Sequence, residues 1–157
     1  MTLYFLMKYL HVLGAIVILG TGTGTGIAFF MLMAHRSRDV AFIARTAAIV
    51  VIADMLFTLT AVLLQPLSGG VLMWLSSTMW SERWLMTSLG LYAVAGLFWV
   101  PVIFMQIEMR DLALIADAAG EPLPPRYHAL FRRWCLFGIP GFGSVMAILW
   151  LMIAKPG

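Results

Sequence analysis

Apolar residues gather into four sustained stretches, at roughly 10–33, 46–68, 85–107 and 134–154, and the segments between them hold most of the charge. Each stretch meets the about 20 residues that an α-helix needs to cross the hydrocarbon layer of a bilayer. A chain in lipid must satisfy its own backbone hydrogen bonds, so each stretch is predicted to be a helix. What remains is a short amino end, three connections and a carboxyl stub. The expected fold is all-α: one transmembrane domain over residues 1–157, a four-helix bundle with both termini outside. The first stretch exceeds the about 7–15 apolar residues of a secretory signal core and has no basic region before it, so it is read as a retained span.

Within span one, ILGTGTGTGIAFF at residues 18–30 places glycines at alternate positions. A dinucleotide-binding loop needs its glycines at a turn between a strand and a helix. Here the glycines are flanked by HVLGAIVI and IAFFMLMA, and Thr25 stands where the G-x-G-x-x-G spacing requires its third glycine. The nucleotide reading is set aside. Gly20 with Gly24, and Gly22 with Gly26, form small-xxx-small pairs on a helix expected to be continuous, which predicts a face of close backbone approach. Thr21, Thr23 and Thr25 are expected to bond the carbonyl four residues earlier. The resulting groove suits a neighbouring helix or a flat ligand, the neighbouring helix being the commoner use.

Span two opens on VAFIARTAA and meets Gln65–Pro66 and then SGG, where the helix is expected to kink or end. Span three carries Pro101 as an internal kink. After it, IEMRDLALIADAA at 107–119 alternates apolar and charged faces as a surface-lying helix does, and Gly120 followed by EPLPP stops it. In RYHALFRRW the basic side chains are expected at the headgroups, with Tyr127, Leu130, Phe131 and Trp134 in the interface and His128 solvated.

The composition agrees: 62% of the 157 residues are hydrophobic and 11% charged, against about 25% charged in an ordinary soluble domain. The net charge of +3 reads as topology and not as affinity for nucleic acid, because the arginines segregate. Arg36, Arg38 and Arg45 flank the first connection and Arg110, Arg126, Arg132 and Arg133 the third, whereas the second has only Arg83. The positive-inside rule then puts connections one and three inside. Trp74, Trp80 and Trp84 crowd the second connection as an outer aromatic belt would. A single cysteine, Cys135, excludes an intramolecular disulfide and is read as a packing residue.

Zinc-ligand sets, serine or cysteine triads and phosphate loops cannot be assembled from three histidines and one cysteine. The polar residues of the spans form an outer group, Lys8, His11, Gln65, Trp84 and Ser88, and an inner group, Asp54, Gln106 and Glu108. His11 lies one turn after Lys8 on the same helix face. Its imidazole either ligates haem iron or hydrogen-bonds across the bundle. Asp54, inside span two, costs at least about 2.5 kcal/mol unless it faces the bundle or is neutral. It is either hydrogen-bonded to a hydroxyl, such as Tyr92 or a threonine, or a proton-relay carboxyl. The twelve methionines form no M-x-x-M cluster and read as packing.

KYLHVLGAIVILGTGTGTGIAFFMLMAH, ADMLFTLTAVLLQPLSGG, WVPVIFMQIEMRDLA, PLPPRYHALFRRW and the terminal WLMIAKP resemble a bacterial integral-membrane family catalogued as domain of unknown function 2269. That resemblance covers nearly the whole chain and implies a multi-pass protein of the bacterial inner membrane. The first span, with LH, small residues and a closing His35, and the ending IP…AKP are more distantly similar to the membrane protoporphyrinogen oxidase family and the copper-resistance D domain. The oxidase family is associated with haem b and uses a first-span histidine, which His11 matches. It also uses a lysine following W-L-H-x; in WLMTSL, Met86 and Ser88 stand where that family has histidine and lysine. The resemblance therefore implies haem b held by His11, with Met86 as a candidate second ligand and Gly20 and Gly24 admitting the flat macrocycle. Three readings stand: a haem-binding redox or haem-handling protein, a non-enzymatic membrane partner or scaffold subunit, homo-oligomeric or in a larger complex, and a transporter or permeation element centred on Asp54. Substituted cysteines check the orientation in intact cells: residues 77 and 157 are expected to react with an impermeant thiol reagent and residue 37 to be shielded, and the reverse pattern inverts the topology.

Overall fold

The computed structural model describes residues 2–22, 26–76 and 82–156, and among these every regular element is helical. In chain order they are α1 (Thr2–Val17), a π-helical turn (Ile18–Gly22), α2 (Gly26–Ser37), α3 (Val40–Ala53), a second π-helical turn (Asp54–Thr58), α4 (Leu59–Ser76), α5 (Arg83–Ala119) and α6 (Pro125–Ala154). They make four rods, Thr2–Ser37, Val40–Ser76, Arg83–Ala119 and Pro125–Ala154, each long and apolar enough to cross a membrane. The architecture is the expected all-α membrane bundle. One end carries the arginine-rich connections and is called the basic end; the other, with both chain ends, is the terminal end.

The connections are short because their chemistry stops and restarts helices abruptly. At the basic end Arg38 takes a left-handed φ of 60°, and Asp39 then caps α3 by accepting the Phe42 amide at 3.2 Å. Gly120, at φ 66°, ends α5; its amide donates to Asp117 and the Glu121 amide to Ala116 at 2.9 Å, which satisfies carbonyls that the last turn leaves open. Pro125 opens α6 at a position where a missing amide hydrogen costs nothing.

Rods one and two run antiparallel: α1 lies on α4, α2 on α3, and the two π turns touch each other. Rod three packs on α3, and α6 follows α5 for most of its length. The apolar core sits toward the basic end, where Ile27 and Met31, Ile43 and Val50, Val102 and Met109, and Tyr127, Phe131 and Trp134 meet from all four rods. Among the described residues, those buried toward the terminal end are fewer and smaller: Gly14, Ala61, Ser68, Leu85, Ser88 and Ser144. The outward surface is a coat of exposed side chains such as Phe29, Ile49, Leu67, Leu97, Ile139 and Trp150, which lipid would cover.

Several expectations are corrected. Residues 107–119 are not a separate surface helix; α5 runs unbroken through them, and Met109, Ala113 and Ala116 are buried. Their 4–3 spacing marks a stripe that faces partner helices, and amphipathic alternation does not distinguish a membrane surface from such a partner. Tyr127, Leu130, Phe131 and Trp134 are likewise core residues instead of interfacial ones, since all four lie on the stripe of α6 facing α2 and α5. The helix neither ends nor breaks at Pro66 but continues to Ser76. Proline removes the hydrogen bond to the carbonyl four residues earlier, that of Val62. The Tyr92 hydroxyl of α5 donates to that same carbonyl, so the freed group is satisfied from the next rod.

Span one is not α-helical throughout either: it widens into a π turn at Ile18–Gly22. Glycine is about 1 kcal/mol less favourable than alanine in a helix, and four of them in seven residues leave little to hold the regular spiral. Thr21 does bond back to Val17, at 2.7 Å; Thr23, Gly24 and Thr25 lie outside the described residues. A Cβ on Gly20 would meet nothing within 4 Å, whereas one on Gly26 would stand 2.9 Å from the Gly20 carbonyl oxygen. The close crossing of rods one and two falls instead at Gly14, where a Cβ would reach Gln65 Nε2 at 3.0 Å, and at Gly69, where it would reach the His11 ring at 3.3 Å. Thermal unfolding in detergent distinguishes these roles. Gly26→Ala is expected to cost about 1–3 kcal/mol because backbone must shift, and Gly20→Ala to cost nothing measurable; equal losses contradict the assignment.

Candidate functional site

Two polar groupings interrupt the apolar interior, one toward each end. At the terminal end, α1 and α4 approach closely enough at Gly14 and Gly69 for side chains to bridge them. Gln65 Nε2 donates to the His11 carbonyl at 2.9 Å, and His11 Nδ1 lies 2.9 Å from the Ser68 hydroxyl. Ser68 itself donates to the Leu64 carbonyl at 2.7 Å. A hydroxyl has one proton; placing it on the Leu64 carbonyl, the shorter of the two backbone contacts of Ser68, leaves the Ser68 oxygen to accept from His11 Nδ1–H. The imidazole is thereby assigned as the Nδ1–H tautomer, with its lone pair on Nε2. Gly69 leaves room for the ring, since a Cβ there would stand 3.3 Å from His11 Cε1. Just below, an apolar groove between the two rods is lined by Leu13, Gly14, Val17, Phe57, Ala61 and Leu64.

Toward the basic end, Asp54 opens the second π turn and is 1% exposed. The Trp134 indole can only donate, so the Gln106 amide turns its oxygen to Trp134 Nε1 at 3.2 Å and its nitrogen to Asp54 Oδ2 at 3.0 Å. One amide thus ties rod two, rod three and rod four. Thr58, also 1% exposed, and Trp99 face the same carboxyl. Asp54 Oδ1, Thr58 Oγ1 and Trp99 Nε1 are nevertheless buried without an aligned hydrogen bond. Of the partners expected for Asp54, a threonine is present but Tyr92 is not, since its hydroxyl is used on Val62.

The other sequence candidates are dispersed. Lys8 is exposed over the Tyr4 ring, 5.9 Å from its centroid, and is not joined to His11. Ser88 is buried but donates to Trp84 of its own helix at 2.7 Å, and Met86 is 43% exposed on α5. Lys155 lies over the Trp84 ring at 5.4 Å, bringing the end of rod four to the start of rod three. Glu108 stands apart from Asp54, paired with Arg126 at 2.7 Å outside the core. His35 stacks on Phe131 with ring centroids 3.9 Å apart, and His128, although exposed, meets it edge-on at 5.5 Å. Among the described residues no three histidine, cysteine or acidic side chains converge as a metal site.

Ser68, Trp99 and Trp134 escaped the reading of the sequence. Ser68 sits one turn after Gln65, and that spacing is the available signal. A tryptophan in an apolar stretch usually reports only hydrophobicity, and its indole N–H becomes informative once a buried acceptor is seen beside it. The shared amide has a measurable worth. Gln106→Leu unpairs both Asp54 Oδ2 and the Trp134 N–H and is expected to lower stability by about 1–3 kcal/mol, with Trp134→Phe costing less because it strands one acceptor; unfolding of both variants in detergent checks the order.

A family model described as a predicted integral membrane protein, DUF2269, matches residues 5–156. No curated protein and no solved structure matches the chain. The match begins before His11, covers all four rods and both polar groupings, and so includes every element from which the sites are built. This chain belongs to the DUF2269 family of predicted integral membrane proteins.

Proposed function

We propose that this membrane protein binds haem b through His11, for redox or haem handling at the terminal end of the bundle. The observation that carries the reading is the 2.9 Å contact of His11 Nδ1 with the Ser68 hydroxyl; with the proton assigned to Nδ1, the Nε2 lone pair is left for a metal. Ligating histidines characteristically give their other ring nitrogen to such an acceptor, which holds both tautomer and ring orientation. Gln65 fixes the backbone of the same residue. The apolar groove running down from Gly14 offers a flat, uncharged surface beside it.

His11 is the residue that would hold the group; Met86, exposed on α5, is dispersed from it and would not join it within this bundle. When bound, such a group supplies one-electron chemistry; the chain's part is to hold the ring, exclude charge and present an apolar wall. The reading takes up the resemblance drawn from the sequence to the protoporphyrinogen oxidase and copper-resistance D group, in which His11 stands at the histidine position and Ser88 in the place of the lysine. Of the three functions considered, partner, permeation element and haem protein, the last has a side chain already arranged for its task.

The test is an absorption spectrum of protein purified in mild detergent, before and after dithionite. A Soret band is expected, lost in His11→Ala and weakened in Ser68→Ala by about 10-fold in haem affinity. A colourless wild type, or a His11→Ala variant with the band unchanged in position and intensity, overturns the assignment and leaves His11, Gln65 and Ser68 as an interhelical clasp.

A further inference from the structure

The second polar grouping has a different chemistry, and it does not depend on whether His11 holds a cofactor. We infer that Asp54 is a proton-exchange site in the half of the membrane nearest the basic end, with Oδ1 as the atom that gains and loses the proton and Thr58 as the hydroxyl that accommodates both states.

The assignment of the atoms follows from donors that have no alternative. Trp134 donates only, so Gln106 presents its oxygen there and its NH₂ group to Asp54. Oδ2 therefore always accepts, and when the carboxyl is neutral its proton resides on Oδ1. Thr58 and Trp99 face the carboxyl, and Oδ1, Thr58 Oγ1 and Trp99 Nε1 are each buried without an aligned hydrogen bond. Trp99 can serve only an ionised or accepting oxygen. Thr58 serves either state: its hydroxyl donates to Oδ1 when the carboxylate is ionised, and turns to accept from Oδ1–H when it is neutral. Rotation of one hydroxyl thus keeps the site satisfied in both protonation states, which a purely structural hydrogen bond does not require.

The groups that face Asp54 are Thr58 on its own rod, Trp99 and Gln106 from rod three and Trp134 from rod four, none of them charged. Rod one touches the π turn through Ile18–Gly22, whose side chains carry no ionisable group. Among the described residues no ionised neighbour locks the carboxyl in one state. The nearest carboxylate along rod three, Glu108, lies two residues from Gln106, about 3 Å along the helix, and is paired with Arg126 outside the core. In the exchange the O–H bond on Oδ1 forms with a proton from water at the basic end and breaks to return it there. No electron moves.

Infrared spectroscopy of the whole protein in detergent, titrated with acid in H₂O and D₂O, reads the carbonyl stretch of a protonated carboxyl. One deuterium-sensitive acid band that titrates in the wild type is expected to be missing from Asp54→Asn; the more exposed carboxyls titrate in both proteins and cancel. Thr58→Val is expected to keep the band but move its midpoint by about one pH unit, with Thr58→Ser retaining the wild-type midpoint. Identical titrations of wild type and Asp54→Asn overturn the proposal. Should Asp54→Asn fail to fold, the threonine pair decides alone: an unchanged midpoint in Thr58→Val overturns it.

Discussion

The amide of Gln106 is the smallest feature on which the arrangement of the bundle depends. Lipid gives helices little hydrophobic reason to prefer one neighbour, so specificity comes from close packing and from polar groups that have no other outlet. Gln106 lies between a group that can only donate, the Trp134 indole, and a carboxyl that needs a donor, and it is 3% exposed. Its orientation is decided by the indole, and that orientation decides what Asp54 receives. Rods two, three and four are thereby held in one rotational setting, with the apolar core of the basic half packed around it.

The same accounting explains how the chain tolerates residues that would break a soluble helix. Pro66 leaves a carbonyl without its amide partner, and Tyr92 of rod three reaches across to it. Gln65 uses its amide on the backbone of His11, and Ser68 holds the imidazole. Toward the terminal end, where few large apolar side chains are buried, these bonds and the close crossing at Gly14 and Gly69 do the joining. A region held by few buried apolar contacts opens at lower free energy than a packed core. The two halves of the bundle therefore differ in character: a packed basic half, and a terminal half clasped by polar side chains.

Rod two links the two polar groupings. Asp54 begins its π turn and Ser68 lies 14 residues further along, about 21 Å at the helical rise. The two groupings thus lie toward opposite ends of the bundle while sharing one helix. The π turns of rods one and two touch between them, at the point where each helix is wound most loosely. Such turns insert one residue into the spiral and rotate everything beyond it, so they set which face of α1 and α4 carries His11, Gln65 and Ser68.

By itself the sequence determined that four helices cross a membrane, because hydrocarbon admits few other structures and the apolar stretches have the required length. It also marked Gly120 with EPLPP as a stop, and His11, Gln65, Asp54 and Gln106 as polar residues needing a reason to be where they are. It did not determine their partners. Whether Met109 and Tyr127 face lipid, headgroups or a core depends on which rod lies beside them, and local alternation is the same in all three cases. Gly20 and Gly26 look alike in a repeat, yet a side chain would be free at one and would meet the Gly20 carbonyl oxygen at the other. That Pro66 leaves the helix intact follows from Tyr92, 26 residues away in the chain. Composition and period report what each segment must bury; the meeting of donors and acceptors across rods was decided by the tertiary structure, since a hydrogen bond is short and directional and exists only where two helices bring its ends together.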